Sequence, residues 1–150
     1  MGPRSEDAGG RRHVGSGSPW EAAIGFSRAV RVGTRVVLSG TGPVLPGGRC
    51  PDGAGPQARR CFEIVAAALA EAGASLADVV RTRMYLTDAA DAVAVGRVHA
   101  ATFGDAAPAA TMVVVAGLRR LPRPWRPPGC SRRAGRRSRR TPCGSSRSRP

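Results

Sequence analysis

Residues Ser18 to Gly40 read SPWEAAIGFSRAVRVGTRVVLSG, and this stretch decides the fold. From Ser27 to Val32 polar and apolar residues alternate, Val32-Gly33-Thr34-Arg35 supplies a tight turn, and Arg35 to Leu38 continues as a β-branched run. Alternation, a Gly-containing turn and renewed alternation predict a β-hairpin. Ser18 to Gly25 reads as a lead-in, with Trp20 as an apolar plug for the sheet edge or for a subunit contact.

Working outward, Gly40, Gly42, Pro43, Pro46, Gly47, Gly48, Pro51, Gly53, Gly55 and Pro56 punctuate a long loop. From about Gln57 to Ala72, the residues Cys61, Ile64, Val65, Ala68, Leu69 and Ala72 form one stripe of a 3.6-residue helix. Gly73 follows where a helix end favours a left-handed residue. The next segment, DVVRTRMYLTD, places Val80, Thr82, Met84 and Leu86 on one face and Val79, Arg81, Arg83 and Tyr85 on the other. Asp88 is suited to cap a second helix reaching about Phe103, with His99 among its packed residues, and TMVVVAGL reads as a further strand. The order β-β-α-β-α-β predicts an α+β sandwich with both helices on one face of a sheet. The polar and aromatic face with Arg81, Arg83 and Tyr85 is suited to cover by another subunit.

Composition bounds the rest. The chain has 150 residues and a formal charge of +14, but residues 1–118 carry 12 Arg against 10 acidic residues. Residues 119–150 carry the other 12 Arg and no acid, so the excess charge is all tail. There is no Lys, and Ala, Gly, Pro and Val abound, as in coding from a GC-rich genome. The four cysteines, Cys50, Cys61, Cys130 and Cys143, lack C-x-x-C spacing and have only two His to accompany them, which argues against a zinc site. No signal peptide or membrane-length apolar run is present, so a cytoplasmic protein with reduced thiols is expected. Three regions follow: a mobile segment at residues 1–17, a folded domain at 18–118, and an irregular Arg/Pro-rich tail at 119–150.

Four blocks resemble the Rid family, also called YjgF or reactive intermediate deaminase A. They are GFSRAVRVGTRVVLSGT (Gly25 to Thr41), AEAGASLADVVRTRMYLTD (Ala70 to Asp88), AVGRVHAATFGD (Ala94 to Asp105) and PAATMVVVAGL (Pro108 to Leu118). RRHVGSGSPWE (Arg11 to Glu21) is similar to the lead-in of one branch. The resemblance implies a chorismate-mutase-like fold and a homotrimer with small-ligand clefts between subunits. It also implies cofactor-free and metal-free hydrolysis of reactive imines or enamines to a 2-keto acid and ammonia.

Carried over by position, the family's site residues fall on Phe26, Ser27, Gly40, Ala110 and Met112 as a substrate-binding set. Ser27 and Gly40 match the family. Phe26 stands for a Tyr, Ala110 for a carboxylate-clamping Arg, Met112 for a Cys and Gly96 for an Asn. Loss of the clamp argues against ordinary deaminase activity, because a guanidinium fork binds a carboxylate and Ala does not. Arg28, Arg81 or Arg83 could supply a cation to the same cleft, though each reads more simply as a solvated or intersubunit strand residue. No catalytic residue is assigned. A non-catalytic small-ligand-binding trimer is the alternative.

After Leu118 the resemblance implies a last strand, whereas the chain reads RRLPRPWRPPGCSRRAGRRSRRTPCGSSRSRP. Three readings of this tail remain: a nucleic-acid-binding arm, a polar extension, or out-of-frame translation, the last being favoured by the break in mid-block. RNA binding is the least favoured function. A lost last strand would leave Thr111 to Val115 as an open sheet edge.

Overall fold

In the computed structural model, residues 10–118 are described. Five strands and three helices follow in the order β1 (Arg11–Val14), α1 (Pro19–Ile24), β2 (Ala29–Val32), β3 (Arg35–Leu38), α2 (Ala54–Glu71), β4 (Arg81–Leu86), α3 (Ala92–Phe103) and β5 (Ala109–Val114). Single 3-10 turns at Leu76–Asp78 and Ala89–Asp91 lead into β4 and α3. The fold is α+β, as the patterning predicts.

The hairpin forms where expected. Val32 pairs with Arg35 across a two-residue turn, and Gly33 takes the positive φ (57°) that such a turn demands. The lead-in is a short helix, started by Ser18, whose hydroxyl accepts from the Trp20 amide, and ended by Gly25 in the left-handed region.

The expectation of a mobile segment through residue 17 fails at Arg11–Val14. These residues form an antiparallel strand on β2, pairing Arg11 with Val32 and Val14 with Ala29. Val14 is 1% exposed and forms the core with Ala29 and Ala72, against which Val36 and Leu38 pack. One fully buried Val and a complete ladder outweigh the polar composition around them. Residues 1–9 of the expected mobile segment, and the tail beyond Leu118, lie outside the described residues.

Helix α2 starts three residues earlier than its apolar stripe suggests. Pro56 sits in its first turn, where no intrahelical N–H bond is required. At the other end Ala74 N–H reaches Leu69 O (2.8 Å) and Gly73 N–H reaches Ala70 O (3.0 Å). That is the paired-bond stop for which Gly73 (φ 74°) is suited. Two arginines of the first sheet finish the cap: Arg31 Nη1 donates to Ala72 O (2.9 Å) and Gly73 O (3.0 Å), and Arg12 Nη2 donates to Glu71 O (2.7 Å). Cations at a helix C-terminus meet its negative dipole end.

The sheet is divided. Strands β1-β2-β3 form an antiparallel sheet, β4 and β5 form a parallel pair joined through α3, and among the described residues no ladder joins the two. Helices α2 and α3 pack on each other through Phe62, His99 and Phe103, with the two Phe rings edge-on at 5.0 Å between centroids. Thr82 Oγ1 and His99 Nε2 lie 2.9 Å apart and tie β4 to α3. His99 is therefore a packed, hydrogen-bonded residue of the layer between helix and sheet. None of the described helices is long and apolar enough to cross a membrane.

Candidate functional site

Three of the expected site residues come together at one end of the three-stranded sheet. Phe26 leaves α1 with its amide bonded to Glu21 O (3.1 Å), and the chain then turns into β2 through Ser27 and Arg28. The Arg28 amide donates to Val14 O (2.9 Å) and the Ser39 amide donates to Arg28 O (3.0 Å), so β1, β2 and β3 are laced at this point. Ser39 Oγ donates to Ser27 O (2.7 Å), which fixes the backbone of Ser27 against the residue before Gly40.

Side chains complete the cluster. Ser27 Oγ and His13 Nδ1 are 3.0 Å apart. Arg28 Nη1 reaches Gly40 O (2.9 Å), Thr41 Oγ1 (3.0 Å) and, more weakly, Ser39 O (3.4 Å). Its Nε is buried and has no hydrogen-bond partner. The guanidinium thus holds the chain from Ser39 to Thr41 by one nitrogen and leaves a fixed positive charge beside Gly40. Next to this cluster the Glu21 carboxylate, only 9% exposed, accepts from the amide (2.8 Å) and the hydroxyl (2.7 Å) of Ser16. Those bonds pin the turn between β1 and α1.

Ala110 and Met112 stand elsewhere, on β5, in register with Thr82 and Met84. Side chains opposite one another in a ladder share a face, so Ala110 and Met112 lie on the side where Thr82 meets His99 of α3. Ala110 offers no donor there. Arg81 and Arg83 lie on the other side with Tyr85, Thr111 and Val113, around an open depression of about 220 Å³. Arg81 Nη2 approaches Thr111 Oγ1 at 3.5 Å. Period-two alternation therefore keeps both arginines off the face of Ala110, and the substitution suggested for them does not occur within one subunit. Arg28 is the suggested cation that does stand beside Gly40.

His13, Ser39 and Glu21 were not singled out by sequence. Strand β1 is the reason for the first: a strand of four residues among Gly and Arg has no periodic signature, yet it brings His13 to Ser27. Ser39 is legible only as part of the strand-ending Ser-Gly. Among the described residues no group of three His, Cys, Asp or Glu is placed to hold a metal ion.

The architecture defines a chorismate-mutase-like α+β protein of the YjgF type. The family described as Endoribonuclease L-PSP matches residues 17–123. An uncharacterised Streptomyces coelicolor protein is 41% identical over 111 residues, 71% of this chain and 81% of that protein. A RutC family protein of Pyrococcus abyssi is 36% identical over 95 residues, 62% of this chain and 75% of that one. Among solved structures, a Mycobacterium tuberculosis member of the YjgF/YER057c/UK114 family is 45% identical, with a TM-score of 0.67 over 72% of this chain and 86% of that one. RidA from a Psychrobacter species is 29% identical, with a TM-score of 0.61 over 77% of this chain and 86% of that one. The chain belongs to the Endoribonuclease L-PSP family, in which the YjgF, RutC and Rid proteins fall.

Proposed function

We propose that the chain handles small reactive imine or enamine metabolites in clefts completed by neighbouring subunits of a homotrimer. The observation that carries this reading is the closure of Ser27, Gly40, His13 and Arg28 into one hydrogen-bonded cluster in a member of this family. Hydrolysis of such a substrate needs little from the protein. Water adds to the carbon of C=N, a proton moves to nitrogen, and the carbinolamine collapses to a ketone and ammonia.

In this reading the Ser27 hydroxyl, oriented by His13, is the proton-handling group at the cleft, in the manner of positioned acid–base groups. Arg28 supplies the positive potential for a substrate carboxylate. It does so less well than a free fork, since Nη1 is committed to Gly40 and Thr41. Turnover is accordingly slow. The trimer reading has separate support from Val32, Val37, Tyr85 and Val113, which are exposed on the sheet faces turned away from the helices. Exposed apolar groups on a sheet face are suited to burial against another subunit.

The test is release of ammonia and 2-keto acid from an enamine generated in place by a pyridoxal-phosphate-dependent dehydratase. The expected result is release above the spontaneous rate, reduced at least about tenfold in Ser27→Ala. Release equal to the spontaneous rate would leave the second reading, a non-catalytic binder, which Ala110 favours because it places no donor on the face of β5. Thermal shifts by neutral aromatic ligands but not by carboxylates would then identify it.

A further inference from the structure

Strand β4 sets Arg81, Arg83 and Tyr85 on one face, and β5 adds Thr111 directly opposite Arg83 and Val113 opposite Tyr85. Together they surround the depression of about 220 Å³ on the side turned away from the helices. Same-face residues of a strand stand about 7 Å apart, so the two guanidinium groups are neighbours of like charge. Neither has a carboxylate partner among the described residues, and the ion pair of Arg60 with Glu63 lies on α2. The acids that flank β4 in sequence are committed to other partners. Asp78 accepts from the amide and the hydroxyl of Ser75 (both 2.8 Å), and Asp88 accepts from the Ala90 amide (2.9 Å). Arg81 Nη2 meets Thr111 Oγ1 only at the 3.5 Å already noted.

The polar side chains of the depression can therefore all donate: two guanidinium forks, a threonine hydroxyl and a phenol. None of them carries negative charge. The Tyr85 ring and Val113 add apolar surface beside the donors. Like charges side by side on a strand face are unfavourable until something compensates them.

We propose that this face of β4 binds a small phosphate monoester, its phosphate held by Arg81 and Arg83 and its organic part laid on Tyr85 and Val113. A phosphate dianion has oxygens enough for both forks, and guanidinium matches them bidentately. The Thr111 hydroxyl adds a further donor. All of these groups come from one subunit, so the site stands apart from the imine chemistry and from the cluster at Gly40. In the trimer proposed above the same face is covered. Taking two unpaired guanidinium groups out of water is unfavourable unless an anion goes with them, and the ester supplies that countercharge.

The experiment titrates the full chain with phenyl phosphate and, separately, with inorganic phosphate by isothermal calorimetry, at fixed ionic strength balanced with chloride. The expected result is saturable binding of the ester, tighter than that of inorganic phosphate, weakened at least about tenfold in Arg81→Ala and in Arg83→Ala. Arg97→Ala, at an exposed arginine of α3, is expected to leave it unchanged. Arg83→Lys keeps the charge without the fork and is expected to recover part of the loss; it also serves should the Ala variant fail to fold. Inorganic phosphate bound as tightly as the ester would overturn the organic half of the proposal. No saturable binding, or binding unchanged by both Arg81→Ala and Arg83→Ala, would overturn the site, the latter by placing the anion on other arginines of the chain.

Discussion

The two halves of the molecule treat similar apolar sequence in opposite ways. AVRV and RVVL of β2 and β3 lie in a sheet with β1 on one side, α2 above and Val14, Ala29 and Ala72 almost wholly enclosed. Among the described residues AATMVV of β5 pairs with β4 alone, and of its six residues Met112 alone is even half-buried. Among the described residues, the first half closes over a core and the second leaves β5 largely exposed. Arg12 and Arg31 strengthen the contrast, because the first half also recruits two guanidinium groups to close α2.

Placing one charge in each half breaks the comparison most sharply. Val14→Asp buries an unpaired carboxylate among Ala29 and Ala72 and is expected to cost at least about 3 kcal/mol, enough to lower the urea midpoint drastically or abolish folding. Val113→Asp, on the exposed face of β5, is expected to change the stability of the isolated subunit by only about 0.5 kcal/mol. In the trimer proposed above its effect falls on assembly, read as a shift from trimer to monomer in light scattering. Equal destabilisation by both substitutions would mean that the second half is already enclosed within one chain.

A smaller effect probes the closure of α2. Gly73 holds φ 74°, and an added Cβ would stand 3.0 Å from Arg31 Nη1. Gly73→Ala is expected to cost about 1–2 kcal/mol, from the left-handed backbone and the displaced guanidinium together. Thermal melts of Gly73→Ala in the background of Arg31→Ala separate the two contributions, since removing the guanidinium leaves only the backbone part.

The same contrast explains what could be read in advance. The hairpin, the α2 stripe with its Gly73 stop and the alternation of β4 are local patterns, and each element forms on its pattern, with α2 starting three residues before its stripe and β4 confined to Arg81–Leu86. Strand β1 was hidden because nothing local distinguishes Arg11–Val14 from the polar residues around it, and its identity comes from pairing with β2. The short helix after Ser18 was hidden by its length of six residues. The division of the sheet was equally illegible, since ladders are long-range and no periodicity reports which strands pair. Within the candidate site, Phe26, Ser27 and Gly40 were accessible through family resemblance, whereas His13 depended on the unseen strand. Arg28 was visible as a cation, but only geometry separates it from Arg81 and Arg83, which the pleat directs to the far face of β4.

In the proposed cleft Ala110, from the open half, would offer no fork to a carboxylate bound near Gly40 of the closed half. The most direct measurement is kcat/KM for ammonia release from an enamine generated in place, for the native chain and for Ala110→Arg at matched folding and oligomeric state. A rise of about a hundredfold on restoring the guanidinium is the expected result, the magnitude of a charge-assisted bidentate contact. An unchanged kcat/KM in a folded, trimeric Ala110→Arg protein would contradict the assignment of this cleft.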